Sequence, residues 1–140
     1  MNILDQAKTV TSSKNLKSKI LGDISTMYLF GSQAKGKARS DSDIDIGVLL
    51  NENIPEKKYF DLKLDLIGEF SGIFNRNDID VVILNNAPNI LAMNVISEGK
   101  VIFSKDKKLR VAFECDVMRQ YYDREYYEKM ALHYLIKHNA

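Results

Sequence analysis

Three aspartates at alternate positions precede an apolar run in the segment FGSQAKGKARSDSDIDIGVLL, which spans residues 30–50. A small domain gains no stability from placing Asp41, Asp43 and Asp45 so close together, because like charges repel. Three interpretations compete: a solvated turn, a calcium-binding loop, or a metal site that performs chemistry. A turn explains Asp41, since Asp and Ser favour turns, but it explains Asp45 poorly because that residue lies inside the apolar strand pattern.

The calcium-loop interpretation requires Asp at positions one, three and five, Gly at position six and Glu at position twelve. The stretch DSDIDIGVLLNE supplies the three aspartates and Glu52. Ile46, however, occupies the sixth position, where the sharp turn of the loop needs glycine. The flanking segments are a Gly- and Lys-rich loop and a turn at Pro55 instead of two helices, so this interpretation fails.

The third interpretation places Asp43 and Asp45 on one strand, where side chains two positions apart point to the same side. Two neighbouring carboxylates repel unless a cation lies between them. Mg²⁺ prefers one or two carboxylates together with waters and substrate phosphates. This pair of aspartates therefore suits a magnesium-bound triphosphate.

The residues at the front of the segment suit a phosphate. Gly31 follows an apolar run and allows close approach of the backbone to a ligand, and Ser32 offers a hydroxyl at a turn into a predicted short helix. Lys35, Lys37 and Arg39 add local positive charge. Taken alone, Gly31 and Ser32 are more typical of an ordinary turn, and Lys35 and Lys37 of a solvated loop.

A third acid is common in sites that transfer phosphoryl groups, and the stretch NDIDVVIL offers Asp78 and Asp80 at the start of another predicted strand. Apolar residues flank Asp80, which favours a buried role for it over Asp78. An aspartate with no function at the start of a strand is an equal alternative.

Apolar periodicity predicts the elements that position these residues. The predicted order is helix, strand, strand, helix, strand, helix, strand and a long helical segment, which indicates an α/β (α+β) fold with a small mixed sheet flanked by helices. The predicted elements are a helix from about Ser13 to Asp23, strands at 27–31 and 44–50, a helix at 56–70, a strand at 79–84, a helix at 89–98, a strand at 100–104, and one or two helices from Lys107 to His138. We expect one domain over 1–140, with a core at about 13–104 and a helical tail at about 107–138.

Composition limits the function classes. The 140 residues carry a net charge of +1, which argues against broad charge-driven binding to nucleic acid. The first ten residues do not resemble a signal peptide, and no apolar run approaches the length of a membrane span. We therefore expect a cytoplasmic protein that binds neither membrane nor nucleic acid directly.

Gly31 and Ser32, followed by ten residues and then Asp43-Ile44-Asp45, form the GS-x10-D-x-D signature of the DNA polymerase β-like nucleotidyltransferase superfamily. The longer string GSQAKGKARSDSDIDI resembles that of the minimal nucleotidyltransferase (MNT) antitoxins, and the similarity covers roughly residues 13–104. The resemblance implies a polymerase β-like fold with a C-terminal helical tail.

The resemblance also implies roles for the site residues. Asp43 and Asp45 would bind Mg²⁺, and Asp80 would be the third carboxylate, acting as metal ligand and base. Gly31 and Ser32 would hold the triphosphate of the incoming nucleotide, which the family implies is ATP. Arg39 matches a basic position of many family members and is assigned to nucleotide binding.

Members of the MNT group transfer AMP from ATP to a tyrosine of a partner HEPN-domain toxin and silence its RNase activity. The resemblance therefore implies a protein adenylyltransferase with a HEPN toxin as partner. An antitoxin that acts by stoichiometric binding and a small-molecule nucleotidyltransferase remain alternatives. The tail carries tyrosines for which we expect packing on the core or, as a second interpretation, a partner-binding face; they are Tyr121, Tyr122, Tyr126, Tyr127 and Tyr134.

Overall fold

The computed structural model describes residues 3–12, 18–31 and 43–139. These residues form a small sheet with helices on both faces, followed by one long helix. The helices are α1 (Ile3–Ser12), α2 (Ser18–Asp23), α3 (Tyr59–Phe74), α4 (Asn89–Glu98) and α5 (Lys107–Asn139), and the strands are β1 (Ile24–Phe30), β2 (Ile44–Leu50), β3 (Ile79–Ile83) and β4 (Lys100–Ser104).

The sheet is mixed, with the strand order β3-β2-β1-β4. β1 pairs antiparallel with both β2 and β4, whereas β2 and β3 are parallel and are joined through α3. All seven residues of β1 are buried, as befits a central strand. The fold class predicted from the sequence is confirmed.

Alternation along the strands divides the core between the two faces of the sheet. On one face, Ile44, Ile46 and Val48 of β2 join a cluster that includes Leu66 and Phe70 of α3. The opposite face is covered by α4 and α5, which contribute to a second cluster around Tyr28, Phe30, Leu49 and Val95. Asp45 lies between Ile44 and Ile46 in β2, so its side chain is on the opposite face of the sheet, which α4 and α5 cover.

β1 begins three residues earlier than the predicted strand at 27–31 and ends at Phe30. Its first residues include Ser25 and Thr26, whose polar side chains concealed the strand from an argument based on apolar runs. Both residues are fully buried, and their hydroxyl groups have no hydrogen-bond partner among the described residues. Ser25 and Thr26 therefore adopt the strand conformation because they are buried between neighbouring strands, although their side chains are polar.

The helices differ from the predictions mainly at their ends. The helix predicted at 56–70 begins as a 3-10 turn, becomes α-helical at Tyr59 and continues past Gly72 to Phe74. Asn75 ends it in the left-handed conformation, with φ of 52°. The helix α1 was not predicted, and residues 13–17 of the helix predicted from Ser13 lie outside the described residues.

The tail is a single helix, α5, of 33 residues, so it is about 50 Å long. The expectation that its tyrosines pack on the core is wrong for most of them. Tyr121 is half-buried, but the other four are between 57 and 68% exposed; they are Tyr122, Tyr126, Tyr127 and Tyr134. Within the described ranges, no helix has the length and apolar character that crossing a membrane would need.

The first half of α5 is fixed to the sheet by a hydrogen bond from the hydroxyl of Tyr28 to the Glu114 carboxylate, 2.6 Å long. Burial, followed by the bond and the charge of Glu114, raises the pKa of Tyr28 above its usual range. Because a hydrogen bond to a charged group contributes about 1.5–3 kcal/mol, we expect Tyr28→Phe to lower the free energy of unfolding by that amount. Urea unfolding at neutral pH would test this, and no change would show that the bond does not stabilise the fold.

Candidate active site

The end of β1 and the start of β2 meet at Gly31 and Asp45. Phe30, the last residue of β1, pairs with Asp45 in the antiparallel register. Gly31 follows with φ of 73°, a conformation that favours glycine. A Cβ atom added to Gly31 would overlap the Oδ2 atom of Asp45 and lie 3.3 Å from its Cγ. Glycine is therefore required at this position for two reasons: the backbone has a positive φ, and the carboxylate of Asp45 leaves no room for a Cβ atom.

The parallel pairing of β2 and β3 brings the third acid to the same place. Asp45 and Asp80 are direct partners in the register of the two strands. The amide of Ile44 donates to the carbonyl of Asp78 over 3.0 Å and aligns the starts of both strands. Asp43 immediately precedes β2 and is exposed, as is Asp80. The three acids predicted from the sequence thus lie at one edge of the sheet.

Electrostatics confirm that these carboxylates influence one another. Partial burial, and then the charges of Asp80 and Asp43, raise the pKa of Asp45. A raised pKa means that the ionised form is unfavourable in this environment. A cation at this edge would relieve the repulsion that the three acids create.

The donor set fits Mg²⁺, which binds oxygen ligands and usually keeps several waters and substrate phosphates in its coordination sphere. Within residues 3–12, 18–31 and 43–139, no group of three or more acidic, His or Cys side chains is placed so that it could hold a metal ion without further ligands. An open arrangement of carboxylates is compatible with a cation that takes its remaining ligands from a nucleotide. The cluster of Asp43, Asp45 and Asp80 can therefore serve a metal–triphosphate complex.

Asp80 was predicted to be more buried than Asp78, but the structure shows the reverse: Asp80 is exposed and Asp78 is half-buried. Two hydrogen bonds from Arg76 hold Asp78, one of them 2.8 Å long from Nε to Oδ1. Exposure of Asp80 follows from its position on the open edge strand, next to Asp45. Sequence reasoning missed Arg76, although an arginine two residues before an aspartate at a strand start was a usable signal.

The bonds from Arg76 lower the pKa of Asp78. A carboxyl group with a lowered folded-state pKa stabilises the fold above its unfolded pKa, and this contribution is lost as the pH falls through the folded value. We therefore expect Asp78→Asn to be less stable than the native chain at pH 7, with the difference vanishing in strong acid. Unfolding by denaturant at several pH values would test this; a difference independent of pH would contradict it.

Several predicted site residues lie outside the described residues. Ser32 and Arg39, assigned to nucleotide binding, belong to the segment 32–42, as do Lys35, Lys37 and Asp41. Their assignments remain predictions. Gly31, Asp43, Asp45 and Asp80 are the predicted site residues that the structure brings together.

Comparison with known proteins supports the resemblance noted in the sequence. The family model described as polymerase beta, nucleotidyltransferase, matches residues 11–108. The protein adenylyltransferase MntA of Shewanella oneidensis is 31% identical over 77 residues, which are 55% of this chain and 52% of the relative. The protein of the same name from Aphanizomenon flos-aquae is 30% identical over 112 residues, 72% of this chain and 73% of the relative. The match thus spans about half the length of the first relative.

Solved structures share the fold. A chain of a toxin–antitoxin crystal structure with AMP-PNP superimposes with a TM-score of 0.64 at 21% identity, covering 94% of this chain and 98% of that one. A chain of a complex between a tri-AMPylated Shewanella oneidensis HEPN toxin and an MNT antitoxin also gives 0.64, at 19% identity with 96% and 99% covered. The family model, the two curated relatives and the cluster of acids around Gly31 agree, and this chain belongs to the polymerase beta nucleotidyltransferase family.

Proposed function

We propose that this chain is an antitoxin that transfers AMP from ATP to a tyrosine hydroxyl of a partner HEPN RNase toxin and thereby neutralises it. The observation that carries the proposal is the convergence of Asp43, Asp45 and Asp80 beside Gly31. Three like charges at one edge of a sheet destabilise the domain, so a functional reason for them is favoured. Membership of the nucleotidyltransferase family supplies the class of reaction.

The relatives support the choice of acceptor. Both curated proteins are named protein adenylyltransferase MntA. One structure with the same fold contains AMP-PNP, and another is a complex of an MNT antitoxin with a tri-AMPylated HEPN toxin. We extend these properties to this chain: ATP as the donor and a HEPN-domain protein as the acceptor, with both reacting in the cytoplasm.

Each acid has a proposed role. Asp43 and Asp45, with the help of Asp80, would hold Mg²⁺, which would supply positive charge beside the phosphates of ATP. Gly31 and Ser32 provide backbone and hydroxyl contacts to the triphosphate, and Arg39 adds a positive charge beside it.

The reaction itself exchanges a phosphoanhydride bond of ATP for a phosphodiester bond to tyrosine. The tyrosine oxygen forms a bond to the α-phosphorus of ATP, the bond between that phosphorus and the bridging oxygen breaks, and pyrophosphate leaves. Asp80 accepts the proton of the attacking hydroxyl. Its exposed position at the edge of β3 leaves room for an acceptor side chain to approach.

A second candidate is an antitoxin that acts by stoichiometric binding without transfer. The exposed apolar residues of α5 favour it, because they suit a lasting protein interface. Binding alone, however, gives no reason for a destabilising group of acids. We therefore place catalysis first and binding second. A nucleotidyltransferase of small molecules is a third candidate that no described feature favours.

One incubation separates the first two candidates. The chain, ATP, Mg²⁺ and the product of the neighbouring gene, which we expect to be a HEPN-domain protein, are mixed. The masses of both proteins are measured, together with the RNase activity of the partner. We expect the HEPN protein to gain one or more AMP units and to lose RNase activity. Loss of RNase activity without any gain of mass would establish the binding antitoxin instead.

A further inference from the structure

An open groove of about 790 Å³ lies in the angle between α4 and α5. Its α4 side includes Ile90, which is 62% exposed, and its α5 side includes Tyr122, which is 57% exposed. Met93 and Tyr121 are half-buried and form part of its lining. Large apolar side chains that remain exposed along a concave surface are typical of a site for another protein.

The apolar surface continues from the groove along α5. Tyr122, Tyr126, Met130 and Tyr134 are spaced four residues apart, so they form one row on the helix, and each is more than half exposed. The three tyrosines of this row expose roughly 400 Å², since a buried aromatic side chain covers 150–250 Å². Ile90 and Met130 enlarge this apolar surface, which forms a substantial part of the roughly 800 Å² that each partner contributes to a standard interface but does not reach that area alone.

Ridges formed by residues four apart fit into the grooves on the surface of another helix. The charged residues beside the row are largely paired within α5, as in Arg124 with Glu128 and Lys129 with Glu125. The row is therefore suited to the apolar stripe of a partner helix, and not to a strongly charged ligand such as nucleic acid.

One end of the groove is connected to the acids through the C-terminal end of α4 and the end of β1. Ser97 lines the groove two residues before Gly99. A Cβ atom at Gly99 would lie 3.2 Å from the carbonyl oxygen of Leu29 and 3.4 Å from the Cβ of Phe30, so the C-terminal end of α4 touches the end of β1. Phe30 in turn pairs with Asp45. A protein seated along the groove is thus directed toward the acidic edge of the sheet.

We infer that the groove between α4 and α5, with the row on α5, is the docking surface for a helix of the acceptor protein, seated so that its hydroxyl reaches Asp45 and Asp80. This inference rests on the proposed function. Continuity of the groove with the acids favours the acceptor over a second copy of this chain, because a second copy seated there would obstruct the acceptor's approach.

The test uses the double variant Ile90→Glu with Tyr122→Glu, which places two charges in the groove at exposed positions. Leu64→Glu with Val111→Glu is the matched control. These residues are 50 and 42% exposed, and neither lines the groove or belongs to the row. The same partner protein is titrated in the transfer assay. Its binding is also measured by calorimetry without ATP, and thermal unfolding checks that all chains fold.

For the groove variant we expect the KM for the HEPN protein to rise at least tenfold, with kcat at saturation and the KM for ATP unchanged, while the control matches the native chain. Calorimetry should show the same weakening of binding. If the native chain transfers no AMP, the proposed function is rejected, but calorimetry still tests the docking surface. Equal affinity of variant and native chain would overturn the docking surface. So would sedimentation showing a native dimer that the groove variant makes monomeric, with unchanged affinity for the HEPN protein.

Discussion

Replacement of Asp43 and Asp45 together by alanine is expected to reduce AMP transfer at least about a thousandfold, which corresponds to a loss of roughly 4 kcal/mol in the transition state. The double change removes two of the three carboxylates that we propose hold Mg²⁺ beside the triphosphate, and both lie near Asp80. Transfer is measured by the mass of the HEPN protein after incubation with ATP and Mg²⁺. Survival of transfer in the double variant would show that the metal assignment is wrong.

The single change Asp45→Asn separates catalysis from folding. The pKa of Asp45 is raised in the folded state, so its ionisation destabilises the fold at pH 7, and that penalty is absent below the unfolded pKa of about 3.9. Without divalent cations, we therefore expect Asp45→Asn to be more stable than the native chain at pH 7 and equally stable in strong acid. A variant that is inactive because it is unfolded would show the opposite at pH 7.

The second large effect is expected for Gly31→Ala. The left-handed backbone at this position costs a residue with a Cβ about 1–2 kcal/mol, and the added methyl group would overlap the carboxylate of Asp45. Displacement of a reacting group by about 1 Å can reduce a rate roughly a hundredfold. We expect both a lower free energy of unfolding and a loss of transfer of about that size or more.

Gly68→Ala is the matched control, because the same methyl group at this position in α3 meets nothing within 4 Å. Alanine is the better helix former by about 0.5–1 kcal/mol, so this variant should be slightly more stable and fully active. If Gly31→Ala behaved like Gly68→Ala, close contact between Gly31 and Asp45 would not matter for function.

The bounds of helices and strands were predicted correctly where an apolar segment ended at residues that favour turns. β2, α4 and β4 have the bounds that were predicted, since each is a clear apolar segment between turn residues. The start of β1 was missed because Ser25 and Thr26 are buried by their neighbours in the sheet, which no local pattern reveals. Likewise, the exposure of the tyrosines in α5 depends on which other elements pack against that helix, and the sequence of the helix alone does not reveal this.

The candidate site was predictable to a similar degree. The spacing from Gly31 to Asp45 identified one side of it, and the strand containing Asp80 was predicted as well. Direct pairing of Asp45 with Asp80 was not predictable, because the register of two parallel strands is decided by packing across the whole sheet. The hydrogen bonds from Arg76 to Asp78, by contrast, join residues two positions apart, and that spacing was a usable signal in the sequence.

The parallel pairing of β2 with β3 has a consequence for the order in which the protein acquires its activity. β1 and β2 can associate as soon as both are synthesised, and this association already brings Gly31 to Asp45. Asp80 joins them only after α3 has formed and β3 has docked, and such long-range closure is the slower step in folding. A nascent chain therefore holds an incomplete set of acids until the crossover closes. If it closes late, newly made copies lack the complete set of acids for a time, and the proposed transfer of AMP begins only after that interval.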